Sequence, residues 1–187
     1  MTFSLTDKTT TETAIAGLLT FGMKQITDDR GTVREFYRQS GYVSASGEPF
    51  MWKQINVTET VYGAVRGLHG EAMTKLVSCV AGSAFGVYLD TRADSATYRA
   101  VVTVDLVAGA QVLVPAGVCN AFQSLSESGT QYLYCFDDEW TPGMAGIAFN
   151  PIDTGLGFDW PIPVDTSDPA QISAKDAAAP LFSKLDN

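Results

Sequence analysis

Short apolar segments, rich in β-branched and aromatic residues, follow one another along most of this chain and are cut at close intervals by glycine and aspartate. Residues 32–37, 54–60, 75–80, 84–90, 98–106, 111–114, 121–125 and 131–136 each read as a strand. Their punctuation is D-D-R-G (28–31), R-G-L-H-G (66–70), V-A-G-S (80–83), D-T-R-A-D-S (90–95), V-A-G-A (107–110), P-A-G (115–117) and E-S-G-T (127–130). Strands this close together, with few helical patterns between them, predict an antiparallel sandwich or barrel. Helix formers gather only in the tail, S-A-K-D-A-A-A-P-L-F-S-K-L (173–185), where Pro180 interrupts them. Residues 1–13 are Thr-rich and polar and read as a flexible N-terminal segment. Residues 14–187 then form a single all-β domain with a small C-terminal helical cap.

Composition narrows the function. With 187 residues the chain can bury roughly 70% of its unfolded surface, enough for a core without staples. Twelve basic against twenty-one acidic residues leave a net charge of −9, which disfavours a nucleic-acid or anionic-membrane surface. Three cysteines, Cys79, Cys119 and Cys135, with no C-x-x-C, argue against a disulfide framework. The apolar stretch 14–23 is too short to span a bilayer and lacks a basic flank, so a soluble cytoplasmic protein is expected. His69 is the single histidine, which excludes H-E-x-x-H hydrolases, zinc fingers and multi-histidine metal centres. Neither a phosphate-binding glycine loop nor a G-x-S-x-G elbow is present.

The densest chemical segment is Arg66-Gly67-Leu68-His69, followed by Lys75. An arginine and a lysine beside an imidazole suit an anionic ligand with a nearby proton transfer. A lone histidine is also often structural, and residue type alone leaves both readings open. Asp176 is either a helix-start residue or a carboxylate that orients an imidazole. Strand alternation puts Tyr132 and Tyr134 on one face, as core or as a phenolic acid. Trp140 is a core anchor or a stacking platform, Asp29-Arg30-Gly31 a turn, and Asp137-Asp138-Glu139 a solvated loop.

Taken in order, D-D-R-G (28–31), Q-x-N (54–56), R-G-L-H (66–69), K-L-V (75–77), D-T-R-A-D-S-A-T-Y (90–98), V-P-A-G-V-x-N-A-F (114–122), Y-L-Y (132–134), G-F-D-W-P (157–161) and S-A-K-D-A-A-A-P-L (173–181) resemble the dTDP-4-dehydrorhamnose 3,5-epimerase family. R-G-L-H and S-A-K-D-A-A-A-P-L are the specific parts, and the resemblance runs from about residue 14 to the end. It implies a cupin-type jelly roll, a homodimer with an exchanged N-terminal strand, no metal and no cofactor. The implied substrate is a nucleotide diphosphate linked to a 4-keto-6-deoxy sugar, inverted at C3, C5 or both. Carried over residue by residue, His69 matches the family's general base, Asp176 its dyad partner and Tyr134 the tyrosine that delivers a proton from the opposite face. Lys75 matches the lysine near the C4 oxygen. Arg66 matches a diphosphate-binding arginine, and Gln54 and Asn56 match polar substrate contacts. Arg30 and Glu35 match residues at the nucleotide end, often supplied by the partner subunit.

Four departures surround the ligand. Asn120 stands where many members carry a second histidine, Gly86 where they carry an aspartate, and Trp140 where a tyrosine is usual. The loop between His69 and Lys75 is shorter than in typical members. Asn120 and Trp140 are counted with the substrate contacts, and altered sugar or nucleotide selectivity is expected, including inversion at a single carbon. The competing reading is a non-catalytic cupin that holds a nucleotide sugar without turnover.

Overall fold

Glycine-centred breaks become the corners between antiparallel strands. The computed structural model describes residues 3–47 and 49–185. In chain order its strands are β1 (Ser4–Thr6), β2 (Thr9–Glu12), β3 (Leu19–Gly22), β4 (Lys24–Asp28), β5 (Gly31–Glu35), β6 (Gln54–Thr60), β7 (Val65–Glu71), β8 (Lys75–Ala81), β9 (Ala84–Asp90), β10 (Val101–Leu106), β11 (Ala110–Val114), β12 (Val118–Ser124), β13 (Thr130–Phe136) and β14 (Gly146–Ala148). Helix α1 (Gln39–Ser46) separates β5 from β6, and α2 (Ala174–Ala177) lies near the C-terminus. The strands form a six-stranded sheet, β2-β3-β11-β8-β13-β6, a five-stranded sheet, β10-β9-β12-β7-β14, and a small sheet, β1-β4-β5. Every pairing is antiparallel. The expected sandwich and its short helical cap are both present.

Alternation decides what enters the space between the two large sheets. From the six-stranded sheet come Val77, Cys79, Val112, Val114 and Tyr132; from the five-stranded sheet come Tyr88, Leu106 and Phe122. Phe122 and Tyr132 stack face to face across the gap, centroids 3.9 Å apart. Several central strands are buried on both faces. Leu68, Val87, Leu89, Cys119 and Ala121 pack outward against Phe149, Leu156 and Phe182 of the C-terminal region. Leu19, Phe21, Leu76, Leu113 and Cys135 pack with Tyr42 of α1. Double burial makes β8 and β9 read as nearly continuous apolar runs. The three cysteines are free and buried.

Three segments differ from the sequence expectation. R-G-L-H-G reads as a turn but forms the middle of β7. Its glycine answers to close strand approach rather than to chain reversal. At Gly67 φ is 120°, and a Cβ there would lie 2.6 Å from the Ala121 Cα and from the Asn120 carbonyl oxygen. The β7–β12 register shifts between Asn120 and Phe122, so the chain is bulged beside His69. Gly67→Ala is therefore expected to destabilise the protein by at least about 2 kcal/mol, measured by urea unfolding.

Helix α1 carries no propensity signal, having Gly41, Val43 and no side-chain cap at Arg38. Tertiary contacts hold it: Tyr42 packs on Phe21 and Tyr37, its hydroxyl bonds Gln111, and Lys8 Nζ donates to the Gly41 carbonyl at 2.6 Å. Residues 1–13 contain β1 and β2, both exposed along their whole length, so their composition stays polar even where they pair with β4 and β3. Residues 1 and 2, like 186 and 187, lie outside the described residues.

The D-T-R-A-D-S-A-T motif is a structural knot at the end of β9. Asp90 is fully buried. It accepts from Arg92 Nε (2.8 Å), Arg92 Nη2 (2.8 Å), Ser95 Oγ (2.6 Å) and Thr97 Oγ1 (2.7 Å). Burial alone would push the carboxyl up; the bonds from Arg92, Ser95 and Thr97 outweigh it and hold the group far below the usual carboxylate range. Asp90→Asn should cost about 2–3 kcal/mol at neutral pH, discounted because Arg92 is partly exposed. A depressed folded value means that the stabilisation is complete above the unfolded carboxylate range and is lost as pH falls. The wild-type advantage in urea unfolding should thus be constant from pH 7 to about 5 and shrink below about pH 4.

Candidate active site

At one end of the sandwich the interior changes from apolar to polar. A cavity of about 400 Å³ opens there, within the range of small-molecule sites. The same alternation that fills the core points His69 and Glu71 of β7, Lys75 of β8, Asn120 of β12 and Tyr134 of β13 into it. Strand β6 supplies a polar inward face, Gln54, Asn56, Thr58 and Thr60, while its Ile55 and Val57 point outward and are exposed.

His69 pairs with Asn120 across β7–β12, on the five-stranded sheet. Its Nε2 lies 2.7 Å from Asp176 Oδ1. Asp176 is buried in α2, and its backbone N–H donates to Ser173 Oγ at 3.0 Å, so Ser173 caps the helix that carries the carboxylate. Asp176 is thus both alternatives at once, a first-turn residue and an imidazole partner. Burial pushes its carboxyl up, but the His69 bond and charge, with Ser173 and Lys175, outweigh that and leave it below the usual range. An ionised carboxylate only accepts. The neutral imidazole therefore carries its proton on Nε2, and Nδ1 is left as the basic nitrogen.

Tyr134 lies on the facing six-stranded sheet, paired with Val77 and Asn56, and its hydroxyl bonds Thr58 Oγ1. Its neighbour on the same face, Tyr132, is fully buried, and burial pushes that phenol well up. Tyr132 is core; Tyr134 is the phenol with a half-exposed position at the cavity. Lys75 is 3% exposed and donates to Glu71 Oε2 and Asn120 Oδ1, each at 2.5 Å.

Arg66, Lys175 and Trp140 are exposed residues on the cavity wall. Arg66 Nε donates to Thr60 Oγ1 at 3.0 Å. Gln54 Oε1 accepts from the Trp140 backbone N–H at 2.7 Å, and Gln54 Nε2 donates to Asn56 Oδ1 at 3.2 Å. Trp140 is 52% exposed, so it is no core anchor. Arg30 and Glu35 do not line this cavity. Arg30 is paired to Asp28 at 2.6 Å in the β4–β5 turn, and Glu35 bonds Arg38. Asp137, expected in a solvated loop, accepts from the Thr74 N–H at 2.9 Å and braces the turn between β7 and β8.

The two departures at 86 and 120 are filled differently. A Cβ on Gly86 would come within 2.9 Å of the Tyr88 hydroxyl, so the Tyr88 ring occupies the space of a side chain at 86. Asn120 is bound to Lys75 instead.

Sequence reasoning passed over Glu71, Thr58, Ser173 and Lys175. Glu71 was legible as a carboxylate four residues before Lys75, and Thr58 as the next inward position after Gln54 and Asn56. Among the described residues no group of three or more His, Cys, Asp or Glu is placed to hold a metal ion. No helix among them is long and apolar enough to cross a membrane.

Comparison with known proteins agrees with this geometry. The family profile described as dTDP-4-dehydrorhamnose 3,5-epimerase matches residues 12–184. A dTDP-4-dehydrorhamnose 3,5-epimerase of Salmonella typhimurium is 35% identical over 178 residues, 91% of this chain and 93% of the relative. A dTDP-4-dehydro-6-deoxyglucose 3-epimerase of Streptomyces bikiniensis is 32% identical over 163 residues, covering 83% and 79%. The crystal structure of a dTDP-6-deoxy-D-glucose-3,5-epimerase from Legionella pneumophila, in complex with dTDP-4-keto-L-rhamnose, superposes with a TM-score of 0.85. That protein is 30% identical, with 96% of this chain and 95% of the other covered. The shared fold is the expected cupin-type jelly roll.

Proposed function

Since this chain belongs to the dTDP-4-dehydrorhamnose 3,5-epimerase family, it is a sugar-nucleotide epimerase, and we propose how its own residues perform the inversion. The substrate is a dTDP-linked 4-keto-6-deoxy sugar held with its ring between the two sheets. His69 Nδ1 removes the proton from a carbon α to the C4 ketone. Asp176 holds the imidazole through Nε2 and stabilises the imidazolium that results.

A C–H beside a ketone is a weak acid, so removal is fast only if the enolate oxygen is stabilised as charge develops. Lys75 supplies that charge from a buried position. Inversion then requires a proton from the other face of the ring. Tyr134 stands on the opposite sheet and delivers it. Each acid–base group contributes about a hundred- to ten-thousandfold. Arg66 and Lys175 bind the diphosphate, which reconciles an anionic ligand with a chain of net charge −9. Gln54, Asn56 and Asn120 contact the sugar, and Trp140 flanks the ligand at the cavity wall.

The observation that carries this reading is the placement of His69–Asp176 and Tyr134 on facing sheets of one cavity. The test is incubation with dTDP-4-dehydro-6-deoxyglucose in D₂O, with deuterium read at C3 and C5. Wash-in at one carbon or both is expected. No wash-in at either carbon, with thymidine-, guanosine-, cytidine- or uridine-linked substrates, would overturn the reading.

The protein works as a homodimer with N-terminal exchange. Leu5, Ile26 and Val33 form one register row across β1, β4 and β5, and all three are exposed. An apolar row on a three-stranded sheet is what a partner subunit would cover. Arg30 and Glu35, on the same sheet, would then reach the partner's nucleotide site.

A further inference from the structure

The polar cluster around Lys75 contains a residue that the mechanism above does not use. Glu71 ends β7 and Lys75 begins β8, with only Ala72, Met73 and Thr74 between them. That short turn, braced by Asp137, sets the carboxylate and the ammonium side by side at 2.5 Å. β7 and β8 belong to different sheets, so it is this short connection that keeps the end of one beside the start of the other.

An ammonium has three N–H donors and no acceptor. On Lys75 one goes to Glu71 and one to Asn120, which leaves a single donor for a ligand. Because Lys75 can only donate, the Asn120 carboxamide must turn its oxygen toward it. The lysine is 3% exposed, and a buried ammonium needs a counter-charge and hydrogen-bond partners to remain charged and fixed. Glu71 provides both from a position that itself lines the cavity.

We propose that Glu71 is a positioning residue: with Asn120 it holds the Lys75 ammonium so that its one remaining N–H is aimed at the substrate oxygen that becomes the enolate. The inference rests on the epimerase reading above and deepens it at a residue that the family resemblance did not single out. Glu71 acts through Lys75, so its effect falls on turnover and depends on Lys75 being there. Asn120, tied to the same ammonium and carrying no titratable proton, orients charge at this position and transfers none.

The test compares wild type, Glu71→Gln, Glu71→Ala, Lys75→Met and the Glu71→Gln/Lys75→Met double variant. Turnover of dTDP-4-dehydro-6-deoxyglucose, KM, dTDP affinity and thermal midpoint are measured for each. Replacing the carboxylate by a neutral carboxamide removes the counter-charge of Lys75 and should lower kcat about 10- to 100-fold in Glu71→Gln, with KM and dTDP affinity little changed. Glu71→Gln keeps the shape of the side chain and so preserves the fold, while Glu71→Ala removes charge and hydrogen bond together. The double variant should be no slower than Lys75→Met alone, because the carboxylate has nothing left to position. An active wild type with Glu71→Gln within twofold of it overturns the inference and leaves the epimerase reading standing. So does a full additive loss in the double variant, or a loss confined to KM and stability. A wild type without deuterium wash-in overturns the reading and this inference together.

Discussion

His69→Asn is expected to lower turnover by about a thousand- to ten-thousandfold while dTDP still binds. The asparagine carboxamide stops short of the Nε2 position, so water takes over the contact to Asp176 in this open cavity and the carboxylate is not orphaned. What disappears is the basic nitrogen, Nδ1, which has no hydrogen-bond partner among the described residues. Nucleotide affinity, which the proposed mechanism assigns to Arg66 and Lys175, should change little. Progress curves by NMR and dTDP titration by calorimetry check both halves. Turnover above a tenth of wild type would mean that another group takes the proton.

Tyr134→Phe should separate two events that wild type couples. With the phenol gone, His69 still removes the proton and can return a deuteron to the same face. Exchange in D₂O should therefore continue while inversion falls by about a hundred- to ten-thousandfold. The ratio of wash-in to inverted product, read from one reaction, is the measurement. Loss of the Thr58 bond is a small cost beside this, since Thr58 is half-buried and water can replace the hydroxyl. Wash-in and inversion falling together, in equal proportion, would place Tyr134 outside the second proton transfer.

Much of the architecture was legible because inward and outward positions alternate so regularly. Residues 84–90 and 54–60 coincide with β9 and β6, and the glycine-centred breaks at 82, 109 and 129 are corners with positive φ. What misled the reading was chemistry with two physical meanings. Glycine permits a turn, but at Gly67 it permits two backbones to approach within the space of a Cβ, so R-G-L-H-G has the composition of a break although it lies inside the strand bearing His69. Helix α1 is held by distant partners, Lys8, Phe21 and Gln111, which no local window contains. The exposed strands β1 and β2 bury no side chains and so leave no apolar period.

The site divides along the same line. His69, Lys75 and Tyr134 announce themselves by residue type, and their meeting follows from inward positions on β7, β8 and β13. Asp176 is 107 residues from His69, and nothing local in S-A-K-D says that an imidazole faces it. Spacing alone favours a helix-start residue, and the resemblance points to the pair. Glu71 was overlooked for the opposite reason: an acidic residue near a strand end reads as solvated, whereas here it is the counter-charge of a buried lysine.

The most direct test is a crystal structure of the protein with a dTDP-linked sugar that lacks the 4-ketone and so cannot react. One ring carbon, C3 or C5, should lie between the His69 imidazole and the Tyr134 hydroxyl, within about 3.5 Å of each and with the two groups on opposite faces of the ring. A sugar bound outside the cavity, or with both groups on the same face, would contradict the proposed inversion.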